Sequence, residues 1–270
     1  MDSFVDLLIF GAGKMGGAML HGALKAGWPA ARIRVIDPNP SDTLREDAAR
    51  HGFALNPAAG TPAKLVLLAI KPQMLDSAAA TLQTHVDANT VIVSILAGKS
   101  IADLRARLPG ITRIVRAMPN TPAAIGRGIT GAHASGGLSE AEQEQVLALL
   151  QTTGRLEWLD HEGDIDSVTA LSGSGPAYVF HLVEAMARAG EELGLAPDLA
   201  MRLARATVEG AGELLFQEAE TPPATLRQNV TSPGGTTAAA LEVLMAPEGL
   251  QPLMTKAIKA ARARARALAG

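Results

Sequence analysis

Gly11-Ala12-Gly13-Lys14-Met15-Gly16 stands directly after the apolar run Val5–Phe10 and opens a helical pattern over Lys14–Ala26. Few short stretches restrict a fold as much, because three glycines at this spacing do three different jobs. Gly11 permits a tight turn out of a strand, Gly13 lets backbone approach a pyrophosphate, and Gly16 lets the helix lie close against the strand. The unsatisfied N–H groups at the helix start then favour an anion. Asp37 closes the next strand candidate, Arg32–Asp37, at the distance of about 20 residues where an acidic side chain meets a ribose. In this context the motif predicts dinucleotide binding; taken alone, the glycines describe only a tight strand–helix turn.

The rest of the first half supports such a fold. Leu65–Ile70, Val91–Leu96 and Ile111–Met118 are apolar runs of the kind found in central strands covered on both faces. Ser41–His51, Met74–Thr84 and Ile101–Leu108 read as helices between them, and Ser139 with Glu142 forms a capping box opening a helix to about Thr152. This alternation predicts an α/β fold built on a Rossmann-type, doubly wound parallel sheet. From Asp164 onward no strand pattern is found. Tyr178–Leu193 places Tyr178, Val179, Leu182, Val183 and Met186 on one side, and Leu250–Leu268 sets an apolar stripe against Lys256, Lys259, Arg262 and Arg266. Leu199–Phe216, Ala224–Gln228 and Thr236–Met245 are further helices. A chain of 270 residues accommodates two domains and not three. The expected division is a dinucleotide-binding domain over 1–163 and an all-helical domain over 164–270.

Composition sharpens the second part. Apolar residues make up 47% of the chain, many of them alanine, but aromatics only 3%. A helical domain so poor in large side chains has difficulty closing a core alone, so a second copy is expected to cover it, giving a homodimer. A net charge of −3 offers no basic field for nucleic acid. With no cysteine, thiolate nucleophiles and disulfides are excluded, and the scattered histidines lack ligand spacing, so no metal is expected. No stretch approaches the ~20 apolar residues of a membrane span. Met1–Phe10, with Asp2 and Asp6, has no basic leader region, so a cytoplasmic protein is expected.

Several motifs fall where ligands bind in such folds, at the carboxyl ends of strands. In Ala69-Ile70-Lys71-Pro72-Gln73, Lys71 is either a cation beside the cofactor or a solvated lysine where Pro72 opens a helix. Leu96-Ala97-Gly98 ends another strand. Met118-Pro119-Asn120-Thr121-Pro122 is either a stiff loop fixing Asn120 near a nicotinamide or a plain proline-rich turn. Asp37 either hydrogen-bonds a ribose 2′-OH, which favours NADH, or simply starts an Asp-Pro turn; Arg45 or Arg32 folding over would accept a phosphate. Leu171–Tyr178 and Thr231–Thr237 each combine glycines with small hydroxyls before a helix, which makes a carboxylate cradle or an ordinary cap.

Together, Leu171–Phe180 (LSGSGPAYVF) and Asn229–Thr237 (NVTSPGGTT), supported by Met118–Pro122 and Ala69–Gln73, resemble the pyrroline-5-carboxylate reductases, and the likeness extends over nearly the whole chain. The resemblance implies hydride transfer from NADPH or NADH to the C=N carbon of 1-pyrroline-5-carboxylate, giving L-proline, in an obligate homodimer or a ring of dimers. It implies that Phe10, Gly11, Ala12, Gly13, Lys14, Met15, Asn56, Ala69, Ile70, Lys71, Pro72 and Ala97 line the cofactor; Gly16, Asp37 and Asn120 join them from the reading of the residues. It also implies that Asn229, Ser232, Gly235, Thr236 and Thr237 surround substrate and nicotinamide, with Glu162 a looser match. Asp37-Pro38-Asn39 departs from members with serine or threonine there, which argues against strict NADPH use. A cyclic imine is basic enough to arrive partly protonated, so Thr237 hydrogen-bonding its nitrogen is the expected catalytic contact. Two alternatives remain. A β-hydroxyacid dehydrogenase would need a lysine base in the first long helix of the second domain, and Ser174–Arg188 has none. A dinucleotide-sensing regulatory protein would need no reaction at all.

Overall fold

In a computed structural model, residues 6–58 and 60–269 are described. They divide into two compact units, residues 1–173 with 262–270, and residues 174–261. Met1, Asp2 and Val5, which figured in the sequence reading, lie outside the described residues.

The first unit contains, in chain order, β1 (Leu7–Phe10), α1 (Lys14–Lys25), β2 (Ile33–Ile36), α2 (Asp42–His51), β3 (Ala54–Leu55), β4 (Leu65–Leu68) and α3 (Leu75–Gln83). It continues with β5 (Val91–Ser94), α4 (Ile101–Arg107), β6 (Ile114–Met118), β7 (Gly128–Ala134), α5 (Glu140–Gln151), β8 (Gly154–Trp158) and α6 (Ile165–Val168). The sheet order is β3-β2-β1-β4-β5-β6-β7-β8. From β1 the chain winds outward through β2 and β3, then crosses back to β4 on the other side of β1. The strand order therefore reverses between β1 and β4, where a ligand crevice opens beyond the carboxyl ends.

Both faces of this sheet are covered, which explains the continuous apolar runs. Leu7 and Ile9 pack with Met19, Leu20 and Val146 in one layer; Leu8 and Phe10 pack with Leu75, Leu82 and Leu104 in the other. Burying each such leucine contributes roughly 1.5–3 kcal/mol. The expected capping box holds: the Glu142 backbone N–H donates to Ser139 Oγ, and the Ser139 N–H donates to Glu142 Oε2 at 2.8 Å.

Three differences from the sequence reading have physical reasons. The sheet is not wholly parallel, because β7 runs antiparallel to β6. β7 and β8 carry no clean strand signal. The β7 sequence, GITGAHA, uses glycine for close approach: a Cβ on Gly131 would stand 2.9 Å from the Val168 side chain. β8 is an edge strand with mostly exposed polar positions. Finally, the first unit extends to Gly173 rather than stopping at 163. Ile165 and Ala170 are buried, and Arg266 near the chain's end comes within 3.8 Å of Asp166.

His85, only 3% exposed, follows α3, and its Nδ1 has no hydrogen-bond partner. Burial, with the Arg34 guanidinium adding to it, holds its pKa below the ordinary imidazole value. The unfolded chain takes up a proton near pH 6.5 that the folded chain refuses, so this contribution is complete above that pH and is lost on acidification. Tm should fall between pH 7.5 and 5.5, with a slope of at most about 1.4 kcal/mol per pH unit from this group. His85→Leu should flatten that part of the profile; an unchanged slope in a melting series would reject the assignment.

The second unit contains α7 (Gly175–Glu192), α8 (Pro197–Gln217), α9 (Pro223–Asn229), α10 (Thr236–Leu244) and the first turns of α11 (Leu250–Ala269). Small side chains bring α7 and α8 together: a Cβ on Gly190 would lie 3.2 Å from that of Ala200. Among its described residues the buried apolar side chains are all alanines: Ala187, Ala200 and Ala204. The larger ones face outward, including Val179, Phe180, Leu182, Met201, Leu203 and Phe216. Thus Val179, Leu182 and Met186 of the apolar stripe expected on α7 are left exposed within one chain. No helix of the described residues is long and apolar enough to cross a membrane.

Candidate active site

At the switch point, Gly11 adopts φ 97° and its N–H donates to Ile36 O at 2.8 Å. A side chain there would meet the Ala69 backbone at 2.9 Å, so the β1 and β4 ends can adjoin only through glycine. A Cβ on Gly16 would lie 2.0 Å from Gly11 O, which makes glycine obligatory for seating α1. Gly13 is different. It is the N-cap of α1 in an extended conformation, and a Cβ there would meet nothing within 4 Å. No side chain caps this helix and its first turn holds no acidic residue. Its first N–H groups are therefore available to a pyrophosphate, and the open side at Gly13 gives that group room.

Asp37, just past β2, is fixed on all sides. Ala12 N donates to its Oδ2 at 2.8 Å and Asn39 N to its Oδ1 at 2.9 Å. Its backbone exchanges two hydrogen bonds with the Asn56 amide, each 2.9 Å. Asn56 itself sits at φ 50°, a left-handed conformation that asparagine tolerates. Beside them a cleft of about 410 Å³ is walled by Phe10, Ile36, Pro38, Ile70 and Met74, with Asn39 and Asn56 at its polar edge. Apolar walls with few polar groups suit an adenosine. Lys71 is exposed at the entry to the short turn Pro72–Met74, and Ala97 is exposed past the end of β5. The first unit thus brings the glycine loop, Asp37, Asn56 and Ala69–Pro72 together beyond the carboxyl ends of β1 to β4.

Two expected site residues have their side chains engaged within the first unit. The Asn120 amide donates to Ser172 O at 3.1 Å and accepts from Ile129 N at 3.0 Å, so both of its ends hold backbone. Glu162 accepts from Ile101 N, at the start of α4, at 2.8 Å and from Arg116 Nη1 at 3.2 Å. Arg116, 5% exposed, also lies 3.7 Å from Asp166. Sequence reasoning missed this cluster. The signal was an arginine inside the apolar run Ile111–Met118, which folding tolerates only with carboxylates around it.

The first expected cradle also differs. Thr169–Gly173 forms a π turn, and Ser174 at the start of α7 keeps α-region dihedrals. Gly173 closes that turn, while Gly175, after Ser174, opens α7 with no side chain capping the helix. Such turns concentrate at functional sites.

The second cradle is open. Thr231 Oγ1 donates to Arg227 O at 2.6 Å and closes α9. Gly234 takes φ 68°, and Gly235, whose N–H donates to Ser232 O at 3.0 Å, becomes the extended N-cap of α10. No side chain caps α10 and no acid lies in its first turn. The N–H groups of Thr236, Thr237 and Ala238 are therefore offered to an anion, with the Ser232 and Thr237 hydroxyls close in sequence. Asn229 ends α9, exposed. The second unit gathers all the expected substrate residues except Glu162 in one loop and helix start.

Comparison with known proteins bears on both units. Residues 162–268 match the family described as pyrroline-5-carboxylate reductase dimerisation, and residues 6–98 match that described as NADP oxidoreductase coenzyme F420-dependent. A pyrroline-5-carboxylate reductase of Pseudomonas aeruginosa is 40% identical over 265 residues, covering 97% of this chain and 96% of that protein. One of Pasteurella multocida is 37% identical, covering 94% of each. Among solved structures, a pyrroline-5-carboxylate reductase from Coxiella burnetii superposes with a TM-score of 0.90 at 32% identity, covering 98% of this chain and 99% of that one. The Plasmodium falciparum pyrroline carboxylate reductase with NADP bound gives 0.78 at 26% identity, covering 99% of both chains.

Proposed function

This chain belongs to the pyrroline-5-carboxylate reductase family, and we propose that it reduces 1-pyrroline-5-carboxylate to L-proline with NAD(P)H. The observation that carries this reading is the uncapped start of α10, where free N–H groups and small hydroxyls suit a carboxylate beside a ring nitrogen. The dinucleotide, when bound, supplies the hydride. Everything else falls to the protein. The N–H groups opening α1 hold the pyrophosphate, while Asp37 and Asn56 shape the adenosine end. Those opening α10 grip the substrate carboxylate. The Thr237 hydroxyl hydrogen-bonds the ring nitrogen; as the adjacent carbon accepts the hydride, the C=N π pair passes to that nitrogen and becomes the amine's lone pair, while the proton it carried in stays on it. A substrate that arrives protonated needs no strong side-chain acid, and catalysis then rests on positioning.

The protein is a homodimer, its second unit supplying both the substrate cradle and the apolar surface that a partner covers. The dimers assemble further into a ring, and the enzyme works in the cytosol. Light scattering should give a mass that is a multiple of two chains; a monomer at micromolar concentration would reject the assembly. Activity is tested by following loss of the reduced nicotinamide absorbance with pyrroline-5-carboxylate or with β-keto acids. Consumption with the imine alone supports the proposal. Consumption with the keto acids alone would replace it with a β-hydroxyacid dehydrogenase, and consumption with neither with a dinucleotide sensor.

A further inference from the structure

We infer that this chain prefers NADH to NADPH, and that Asp37 with the Pro38-Asn39 turn sets the preference. The inference rests on the dinucleotide reading of the first unit and deepens it. A 2′-phosphate at the end of β2 needs a cation and backbone donors, and the turn supplies neither. Pro38 has no N–H. The next N–H, of Asn39, is already given to Asp37 Oδ1 at 2.9 Å. The other carboxylate oxygen accepts from Ala12 N at 2.8 Å, so the acid is held against the glycine loop and cannot swing aside. The Asn56 amide, bound twice to the Asp37 backbone, braces the turn from below.

Nearby arginines lie outside the cleft wall. No lysine or arginine is among the residues walling the adjoining cleft. Arg34 points its Nη1 to Thr61 O at 2.8 Å. Arg32 precedes β2, at the end of the strand opposite to Asp37. Arg45 sits on the exposed side of α2 and is not part of the cleft wall. A ribose 2′-OH can donate to the fixed carboxylate, whereas a 2′-phosphate meets like charge, and no cation stands in the cleft wall to offset it.

Direct titration of the full-length protein with NADH and with NADPH, followed by cofactor fluorescence, measures the preference without turnover. NADH should bind about 10- to 100-fold more tightly. Asp37→Asn keeps an acceptor but removes the charge, and should recover most of that ratio by improving NADPH binding. Equal or tighter binding of NADPH by the unaltered protein overturns the inference, as does a ratio that Asp37→Asn leaves unchanged. If NADPH wins while the imine is still reduced, only the preference falls. Failure of both cofactors to bind would overturn the preference and the dinucleotide reading together.

Discussion

Gly16→Ala should cost the protein both stability and dinucleotide binding, while Gly13→Ala costs binding alone. The contrast follows from where each new methyl would go. On Gly16 it would lie 2.0 Å from Gly11 O and 3.1 Å from the Ala69 Cβ. Both neighbours are held by the sheet, so α1 must move out, and the loop before it moves too. Overpacking of this kind costs about 1–3 kcal/mol or more, a fall of roughly 5 °C or more in Tm. Displaced N–H groups should weaken dinucleotide binding by about 100-fold, the equivalent of two tenfold steps. On Gly13 the methyl meets nothing within 4 Å, and φ of −66° is ordinary for alanine. The fold should therefore melt as before, yet the methyl occupies the space through which a pyrophosphate approaches. Melting curves and cofactor titrations on the two variants decide the matter. Normal binding by Gly13→Ala would remove the pyrophosphate from this loop.

Thr237→Ala should lower kcat by roughly 10²–10⁴-fold, the usual reach of a hydrogen-bonding or proton-relaying group. Thr237 lies in the first turn of α10 and is partly exposed, so truncation leaves no cavity and the fold should be unaffected. Affinity for the dinucleotide, set in the first unit, should not change. Thr237→Ser restores the hydroxyl and should recover most of the rate, which a packing defect would not do. Full activity in Thr237→Ala would strip the residue of its role and leave the α10 N–H groups to act alone.

What could be read in advance followed from burial geometry. β1, β4 and β5 were legible because strands covered on both faces must be apolar throughout, and α5 because its capping box is local in sequence. β7 was hidden because its glycines serve close packing against Val168 and the Ala123 backbone instead of an alternating face. The shapes of the glycine turn and of the α10 start were legible because each is a continuous stretch whose geometry lies in its own backbone. Asn120 and Glu162 were not. Their residue types were suggestive, but their partners, Ser172 and Arg116, are distant in sequence, and only folding shows that the Asn120 amide and one Glu162 oxygen hold these partners.

The second unit buries only alanines within one chain, and this ties the protein's integrity to its abundance. When a partner supplies the missing interior, dilution acts as a denaturant, and the melting temperature rises with chain concentration. Newly made chains must find one another before that half can consolidate, so its maturation is second order. A cell that makes little of the protein would keep a disproportionately small share of it native.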